Sequence, residues 1–277
     1  MRVPSPAPAR ARRRQAAVRA AGKTHRGPVR QAVAIAGFIA LLVVLWQSVI
    51  WVFGVPGYLL PTPGEVGAAL VGQRDTFLQH AAVTMTEVVL GLGAGALLGL
   101  ALAVVMDQSP VLNKALYVPI LATQTTPIVA ITPILIIWFG VGLAPKLMII
   151  AIFSFFPVLV NTLAGLQATG RQMLLLLDSV AASPWQVYRY VRIPMALPHV
   201  FAGLRLAAAA SVVGAIVVEW VSSTAGLGYL LILYQSRLNV SKAFATLVVL
   251  LVLGLLVFAF FAWIERRFSW QKRLGMD

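Results

Sequence analysis

The sequence predicts an all-α membrane protein with six transmembrane helices and both termini in the cytosol. Three observations lead there. Of 277 residues, 60% are hydrophobic and only 11% charged, whereas a soluble domain runs about 45–50% apolar and about 25% charged. The mean hydropathy of +0.89 also excludes a disordered chain. The apolar residues gather into six runs, roughly 32–53, 83–106, 116–139, 146–166, 200–221 and 243–264. Each is close to the ~20 residues that carry a helix across hydrocarbon, and none shows the alternation of a membrane strand. Basic residues outnumber acidic ones 22 to 8. With the N-terminus placed in the cytosol, eighteen of the 22 fall on the cytosolic side, as the positive-inside bias requires.

That bias accounts for the net charge of +14, so no nucleic-acid partner is expected. The absence of cysteine removes disulfides, thiolate zinc sites and a cysteine nucleophile. His25, His80 and His199 share no metal-ligand spacing. No hydrolase or metalloprotease motif occurs. No cofactor and no catalytic constellation are expected, and the chain does not read as an enzyme.

Residues 1–30 carry nine of the basic residues and no acid. Pro4, Pro6, Pro8 and the Arg12–Arg14 run predict a disordered cytosolic tail. Such a tail reads either as a topology signal or as a headgroup- or RNA-binding arm. The first apolar run is too long for the core of a signal peptide, and no Ala-x-Ala site closes it. Residues 31–266 form the membrane domain and 267–277 a short cytosolic tail.

In the outer connection 54–82, Leu60-Pro61-Thr62-Pro63-Gly64 forces a turn. The following Glu65–Leu70 reads equally as a short interfacial helix or as loop. The second span carries Gly91, Gly95, Gly99 and Ala103 on one face, where small residues admit another helix closely. That predicts a packed bundle, with a dimer as a further possibility. The third span is interrupted by Pro119, Pro127 and Pro133. Interior prolines remove helix hydrogen bonds, and broken backbone at membrane depth belongs in a protein interior or beside a water-filled cavity. Gln124, Thr125 and Thr126 beside it either line a pathway or satisfy the freed backbone groups. Pro157 and Asn161 repeat the pattern in the fourth span. Glu219 in the fifth span and Glu87 in the second are intramembrane acids, which are functional by default, although both lie near enough to an interface to reach water.

The long cytosolic connection, 167–199, is predicted to be an ordered hairpin. Met173–Val180 forms a short helix and Ala181-Ala182-Ser183 the turn. Ser183 and Gln186 make a capping box, with Pro184 at the first helical position. The second helix runs Pro184–Arg192, presents Trp185, Tyr188, Arg189 and Arg192, and is ended by Pro194 and Pro198. An aromatic, basic hairpin is either a docking element or an anchor lying on the bilayer.

The stretch Ala181-Ala182-Ser183-Pro184-Trp185-Gln186, followed by Val191-Arg192-Ile193-Pro194, resembles the signature loop of binding-protein-dependent ABC importer permeases. That family's pattern is Glu-Ala-Ala, three residues, Gly, nine residues, Ile-x-Leu-Pro. Val191, Ile193 and Pro194 fit it. Ala181 stands at the Gly position, and Leu175, Leu176 and Leu177 stand where Glu-Ala-Ala is usual. The resemblance extends over most of 59–266, through Leu60-Pro61-Thr62-Pro63, Trp138-Phe139-Gly140-Val141-Gly142, Phe155-Phe156-Pro157, Ala202-Gly203-Leu204-Arg205 and Ala225-Gly226-Leu227-Gly228-Tyr229. These motifs are similar to those of the nitrate, sulfonate and taurine permeases and of the thiamine-precursor and riboflavin permeases. The run Val213–Glu219 with Ala225–Leu230 looks closer to the pyrimidine-precursor and riboflavin branch.

The resemblance implies a type I ABC importer permease fold in the plasma (inner) membrane. It implies cytosolic ABC ATPase subunits, an extracytoplasmic substrate-binding protein and a second permease copy as partners, besides the lipid bilayer. It assigns ATPase coupling to Val180, Ala181, Ala182, Ser183, Pro184, Trp185, Arg189 and Pro194. Gln124, Thr125, Thr126, Asn161 and Glu219 are the translocation-pathway candidates. The residues alone would also suit a channel or a secondary transporter working without a partner, since kinked helices and an intramembrane acid serve those too.

Overall fold

The structure is a computed structural model describing residues 28–125 and 127–268. Most of the basic tail, Thr126 and residues 269–277 lie outside the described residues. The chain forms two compact units, one ending at Pro56 and one starting at Gly57. The first holds helix α1 (Pro28–Phe53). Phe38, Leu41, Val44 and Trp51 of α1 are all exposed, as suits a helix surrounded by apolar solvent.

The second unit begins with α2 (Pro63–Gly72), which settles the ambiguity over Glu65–Leu70 in favour of helix. Thr62 caps it. Its hydroxyl accepts from Glu65 N–H at 3.2 Å, and the Glu65 carboxylate accepts from Thr62 N–H at 2.9 Å. This reciprocal pairing satisfies two donors that a helix start leaves free. The long helix α3 (Arg74–Gln108) follows. The third predicted span is two helices, α4 (Pro110–Thr125) and α5 (Ile128–Phe139), meeting at 97°. The break falls before Pro127, while Pro119 and Pro133 stay inside helices.

Then come α6 (Leu143–Gln167), the short α7 (Arg171–Ser179) and α8 (Pro184–Val187). A π-helical turn, Tyr188–Arg192, joins α8 to α9 (Ile193–Ser222). Helices α10 (Leu227–Ser236) and α11 (Val240–Phe268) complete the described residues. Five helices are each long and apolar enough to cross a membrane, and the bent α4–α5 pair is the sixth candidate.

Helix α6 is the centre of the bundle. The glycines of α3 face it in register. A Cβ on Gly91 would lie 2.5 Å from Ile150, one on Gly95 2.7 Å from the Ala151 carbonyl, and one on Gly99 2.6 Å from the Phe155 carbonyl. Both sets of numbers rise together, so α3 and α6 run parallel. On the other side of α6, Gly165 faces Ala196 and His199, Gly203 faces Pro157 and Asn161, and Gly214 faces Phe153. Here one set falls as the other rises, so α9 is antiparallel to α6. The small-residue stripe is therefore spent within the chain, and the dimer it suggested is not what it builds. Around these contacts Val88, Ile149, Ile150, Val158, Ala207, Ala208, Ala215 and Val218 are wholly buried. Apolar residues such as Leu97, Leu251 and Leu255 cover the outside, since lipid tails rather than water face this surface.

Gly93 provides an internal control, because a Cβ added there would have nothing within 4 Å. Gly95→Val is expected to cost at least about 2 kcal/mol, as overpacking does, and to lower the thermal unfolding midpoint in detergent. Gly93→Ala should leave that midpoint unchanged within error.

Candidate coupling segment and translocation site

The 167–199 connection is built by two complementary helix ends. Helix α7 stops in a Schellman arrangement, with Ala182 N–H donating to the Leu177 carbonyl at 3.0 Å and Ala181 N–H to the Asp178 carbonyl at 2.9 Å. Ala181 adopts φ 53°, the left-handed conformation in which glycine is usual. This is the position where the resembling pattern carries Gly. Ser183 then opens α8: its N–H donates to Gln186 Oε1 at 2.8 Å, and its Oγ accepts from Gln186 N–H at 3.3 Å. Pro184 occupies the first turn. The predicted turn and capping box are both present.

The end of the second helix differs from expectation. Pro194 and Pro198 do not terminate it, because the chain continues through both into α9. For Pro194 the π turn is the reason. Ile193 N–H donates back to the Tyr188 carbonyl, five residues away. Such a turn inserts one residue, so Pro194 follows a register shift that relieves its clash with the Tyr190 carbonyl. Pro198 lies past the turn, inside α9. Val180, Trp185, Leu175 and Tyr190 are each at least 60% exposed, and Arg189 is exposed as well. The segment therefore presents apolar, aromatic and cationic groups together.

At the opposite end of α9 lies a buried polar cluster, and it captures Glu219. Three consecutive backbone N–H groups, of Gly226 and of the first two residues of α10, are each held by a side chain. Gly226 N–H donates to His80 Nδ1 at 2.9 Å, Leu227 N–H to Thr84 Oγ1 at 2.8 Å, and Gly228 N–H to Glu219 Oε2 at 2.5 Å. Thr84 in turn donates its one proton to Glu219 Oε1 at 2.6 Å. His80 Nδ1 also lies 3.1 Å from the Gly226 carbonyl, and the shorter Gly226 N–H bond favours the tautomer in which Nδ1 accepts. Both Glu219 oxygens are engaged, one by the Thr84 hydroxyl and one by the Gly228 N–H. Gly226 has φ 116°, and a Cβ there would overlap the Glu219 carboxyl group, so the loop needs glycine at this position twice over.

Beside this loop, Lys146 Nζ binds Glu87 Oε1 at 2.6 Å and Ser223 Oγ at 2.5 Å, and Ser223 donates to the Ala225 carbonyl. Lys146 and Glu87 side chains are 11% and 4% exposed. A buried charge is tolerated when it is paired and hydrogen-bonded, and here each ion supplies the other's partner.

The pathway candidates are thus dispersed. Gln124 and Thr125 are exposed at the α4–α5 break, where Thr125 donates to the Ala122 carbonyl at 2.9 Å. Asn161 is half-buried at the α6–α9 contact and donates to the Pro157 carbonyl at 2.8 Å. Glu219, expected to reach water, is 1% exposed and fully engaged by protein. Thr126 lies outside the described residues. Among the described residues no group of three or more His, Asp or Glu is placed to hold a metal ion.

Sequence reasoning missed His80, Thr84 and Lys146 as partners of the acids. Their signal is spacing: His80, Thr84 and Glu87 recur at helical intervals of four and three and so share one face of α3. It also missed two ion pairs at the other end of the bundle, Arg192–Asp107 and Arg205–Glu265. Those join residues far apart in sequence, and no local pattern announces them.

A family profile described as binding-protein-dependent transport system inner membrane component matches residues 95–270. A probable ABC transporter permease protein of Haemophilus influenzae is 35% identical over 84% of this chain and 95% of its own length. The formylaminopyrimidine transport permease of Halalkalibacterium halodurans is 32% identical over 85% of this chain and 95% of its own. The riboflavin transport system permease of Chloroflexus aurantiacus is 30% identical, covering 82% and 86% respectively.

Removing Glu219 leaves the Gly228 N–H and the Thr84 hydroxyl without acceptors in a buried site, at about 1–3 kcal/mol per group. Glu219→Ala is expected to lower the unfolding midpoint of the purified protein, and Glu219→Gln to lower it less, because the amide can still accept from the Gly228 N–H and donate to the Thr84 hydroxyl. Thr84→Ser, which keeps the hydroxyl relay, should retain most of the wild-type midpoint.

Proposed function

The chain belongs to the binding-protein-dependent inner-membrane permeases of ABC importers, and from that premise we propose that it forms the translocation pathway of an importer driven through its 167–199 hairpin by a separate ATPase. It is a multi-pass inner-membrane protein of a family of transport permease subunits, and within this reading the chemistry of ATP belongs to the partner. The observation that carries the proposal is the hairpin. It is ordered by a Schellman stop and a capping box, yet it leaves Trp185, Val180 and Arg189 uncovered. A segment that spends backbone hydrogen bonds on rigidity while exposing apolar and cationic groups suits docking into a cleft of another subunit. The basic-residue bias places this face, and both termini, in the cytosol.

The proposed cargo is a small organic molecule such as a pyrimidine thiamine precursor or riboflavin. Support comes from the two relatives named for a formylaminopyrimidine and for riboflavin. An extracytoplasmic binding protein delivers it, and two permease copies enclose the pathway. Gln124 and Thr125 are proposed to line it at the broken α4–α5 span, where backbone carbonyls freed by proline need polar neighbours, and Asn161 to line it from the α6–α9 contact. Glu219 is proposed to shape the pathway indirectly, by fixing the α9–α10 loop.

The docking reading is tested by co-purifying the chain with candidate ATPases and measuring hydrolysis on adding loaded binding protein. Ala182→Glu is expected to abolish the stimulation and ATP-driven uptake while leaving the protein in the membrane. Ala181→Gly, which relieves a left-handed conformation costing about 1–2 kcal/mol for an L-residue, should keep full coupling. Uptake driven by an ion gradient, with no ATPase present, would instead establish a secondary transporter.

For the pathway, Gln124→Ala is expected to reduce uptake several-fold with an unchanged unfolding midpoint. A screen of the binding protein against pyrimidines, flavins and taurine, read as a thermal shift, decides the cargo class.

A further inference from the structure

We propose that Asp107 and Arg192 form a positioning strut that carries movement of the coupling segment into helix α3; the proposal rests on the docking role assigned to that segment above. Arg192 is the last residue of the π turn, and its Nη1 donates to Asp107 Oδ2 at 2.8 Å. Asp107 is the next-to-last residue of α3 and its side chain is 3% exposed, whereas that of Arg192 is 28% exposed.

The placement of Asp107 is unfavourable in isolation. Free carbonyls make a helix C-terminus electronegative, so cations are favoured there and anions are not. A nearly buried carboxylate at that end requires a cation held close. Arg192 supplies it from a segment 85 residues away in sequence. Tyr188, on the same π turn, lines a cleft of about 410 Å³ with Asp107, Asp178, Ala182, Pro184 and Arg192, and its buried hydroxyl has no hydrogen-bond partner. The cleft leaves the π turn uncovered on that side, so the ion pair is the polar bond crossing from the turn to α3.

The π turn is also where a push from the hairpin arrives. Hairpin and α9 are joined through a stretch of π geometry, a form that concentrates at functional sites. A load applied at Ala182 or Trp185 passes through this turn to reach Arg192, its last residue. There the Asp107–Arg192 pair offers a second route beside the chain's own path into α9. It leads directly to α3, which is locked to α6 by the close approach at Gly91, Gly95 and Gly99.

The test uses the assembled transporter, with its ATPase and binding protein, and reads uptake per ATP hydrolysed. Asp107→Ala and Arg192→Ala are expected to lower that ratio about tenfold, within the usual range of coupling between sites, while the ATPase still co-purifies. The swap Asp107→Arg with Arg192→Asp should recover the ratio to within about threefold. A second version avoids dependence on stability. The chain has no cysteine, so Asp107→Cys with Arg192→Cys can be bridged by a short reducible thiol linker. Bridged transporter should be coupled and the same sample after reduction should not. An unchanged ratio in assembled Asp107→Ala transporter, or in the reduced double-cysteine form, overturns the strut and leaves the docking reading standing. Failure of the intact chain to couple uptake to any ATPase overturns the docking reading and the strut together.

Discussion

Helix α6 is approached so closely from two sides that backbone meets side chain across both contacts, and the rest of the molecule is arranged around this. Gly95 lets α3 come within reach of the Ala151 carbonyl, and Gly203 lets α9 come within reach of that of Pro157. Apolar side chains gain little by leaving lipid for protein, so such a bundle relies on dispersion and polar contacts instead of water exclusion. Close approach increases both. It is also the condition for the polar clusters at the two ends of the bundle. Lys146 at the start of α6 meets Glu87 of α3 at 2.6 Å because no bulk at Gly91 holds the two helices apart.

Charge placement follows from the same medium. A lone ion at membrane depth is expensive. The pairs Lys146–Glu87, Arg192–Asp107 and Arg205–Glu265 each have one member in the first or last turn of its helix. The Glu219 cluster is more demanding because its anion has no directly bonded cation. Instead it accepts one bond from Thr84 and one from a backbone amide, while neighbouring amides are taken by Thr84 and His80. The result is a loop whose position is fixed by hydrogen-bond polarity as well as by shape, and a glycine at 226 that no other residue can replace without displacing the acid.

How much of this is legible in the sequence depends on the range of the interaction. Local signals carry well. Ser183, Pro184 and Gln186 announce a capped helix because all their partners lie within three residues, and the hairpin turn at Ala181 follows. The Thr62–Glu65 box carries the same signal, but the sequence reading leaves Glu65–Leu70 open between helix and loop, and it is the structure that settles α2 as a helix. The broken third span is visible because proline acts on its own backbone. What escapes is long-range. Glu219 stands out as unusual, but its partners lie 135 residues earlier and nine later, so its burial cannot be read from its place near a span end. Pro194 and Pro198 mislead for a related reason. Proline predicts a helix stop, and the π turn ahead of Pro194, which has no sequence signature, lets the helix continue there; Pro198 sits inside α9 as Pro119 and Pro133 sit inside α4 and α5. Gly91, Gly95 and Gly99 announce a close contact without saying whose.

One element joins the two polar ends. Helix α3 carries Glu87 in one cluster and Asp107 in the other, twenty residues apart in the sequence, or about 30 Å at 1.5 Å per residue. That is the thickness of the hydrocarbon core. The antiparallel α9 follows Arg192 at one end and carries Glu219 near the other, 27 residues on, or about 40 Å at 1.5 Å per residue. Charges separated by this distance each sit at an interface when the helices cross the bilayer, so the two clusters mark its two faces. Between them α3 has no proline, and its Gly91, Gly95 and Gly99 are packed against α6. The helix is held by an ion pair at one face and by a hydrogen-bonded loop at the other. Under the strut proposed for Asp107, this one helix links the coupling end of the bundle to the loop that Glu219 holds.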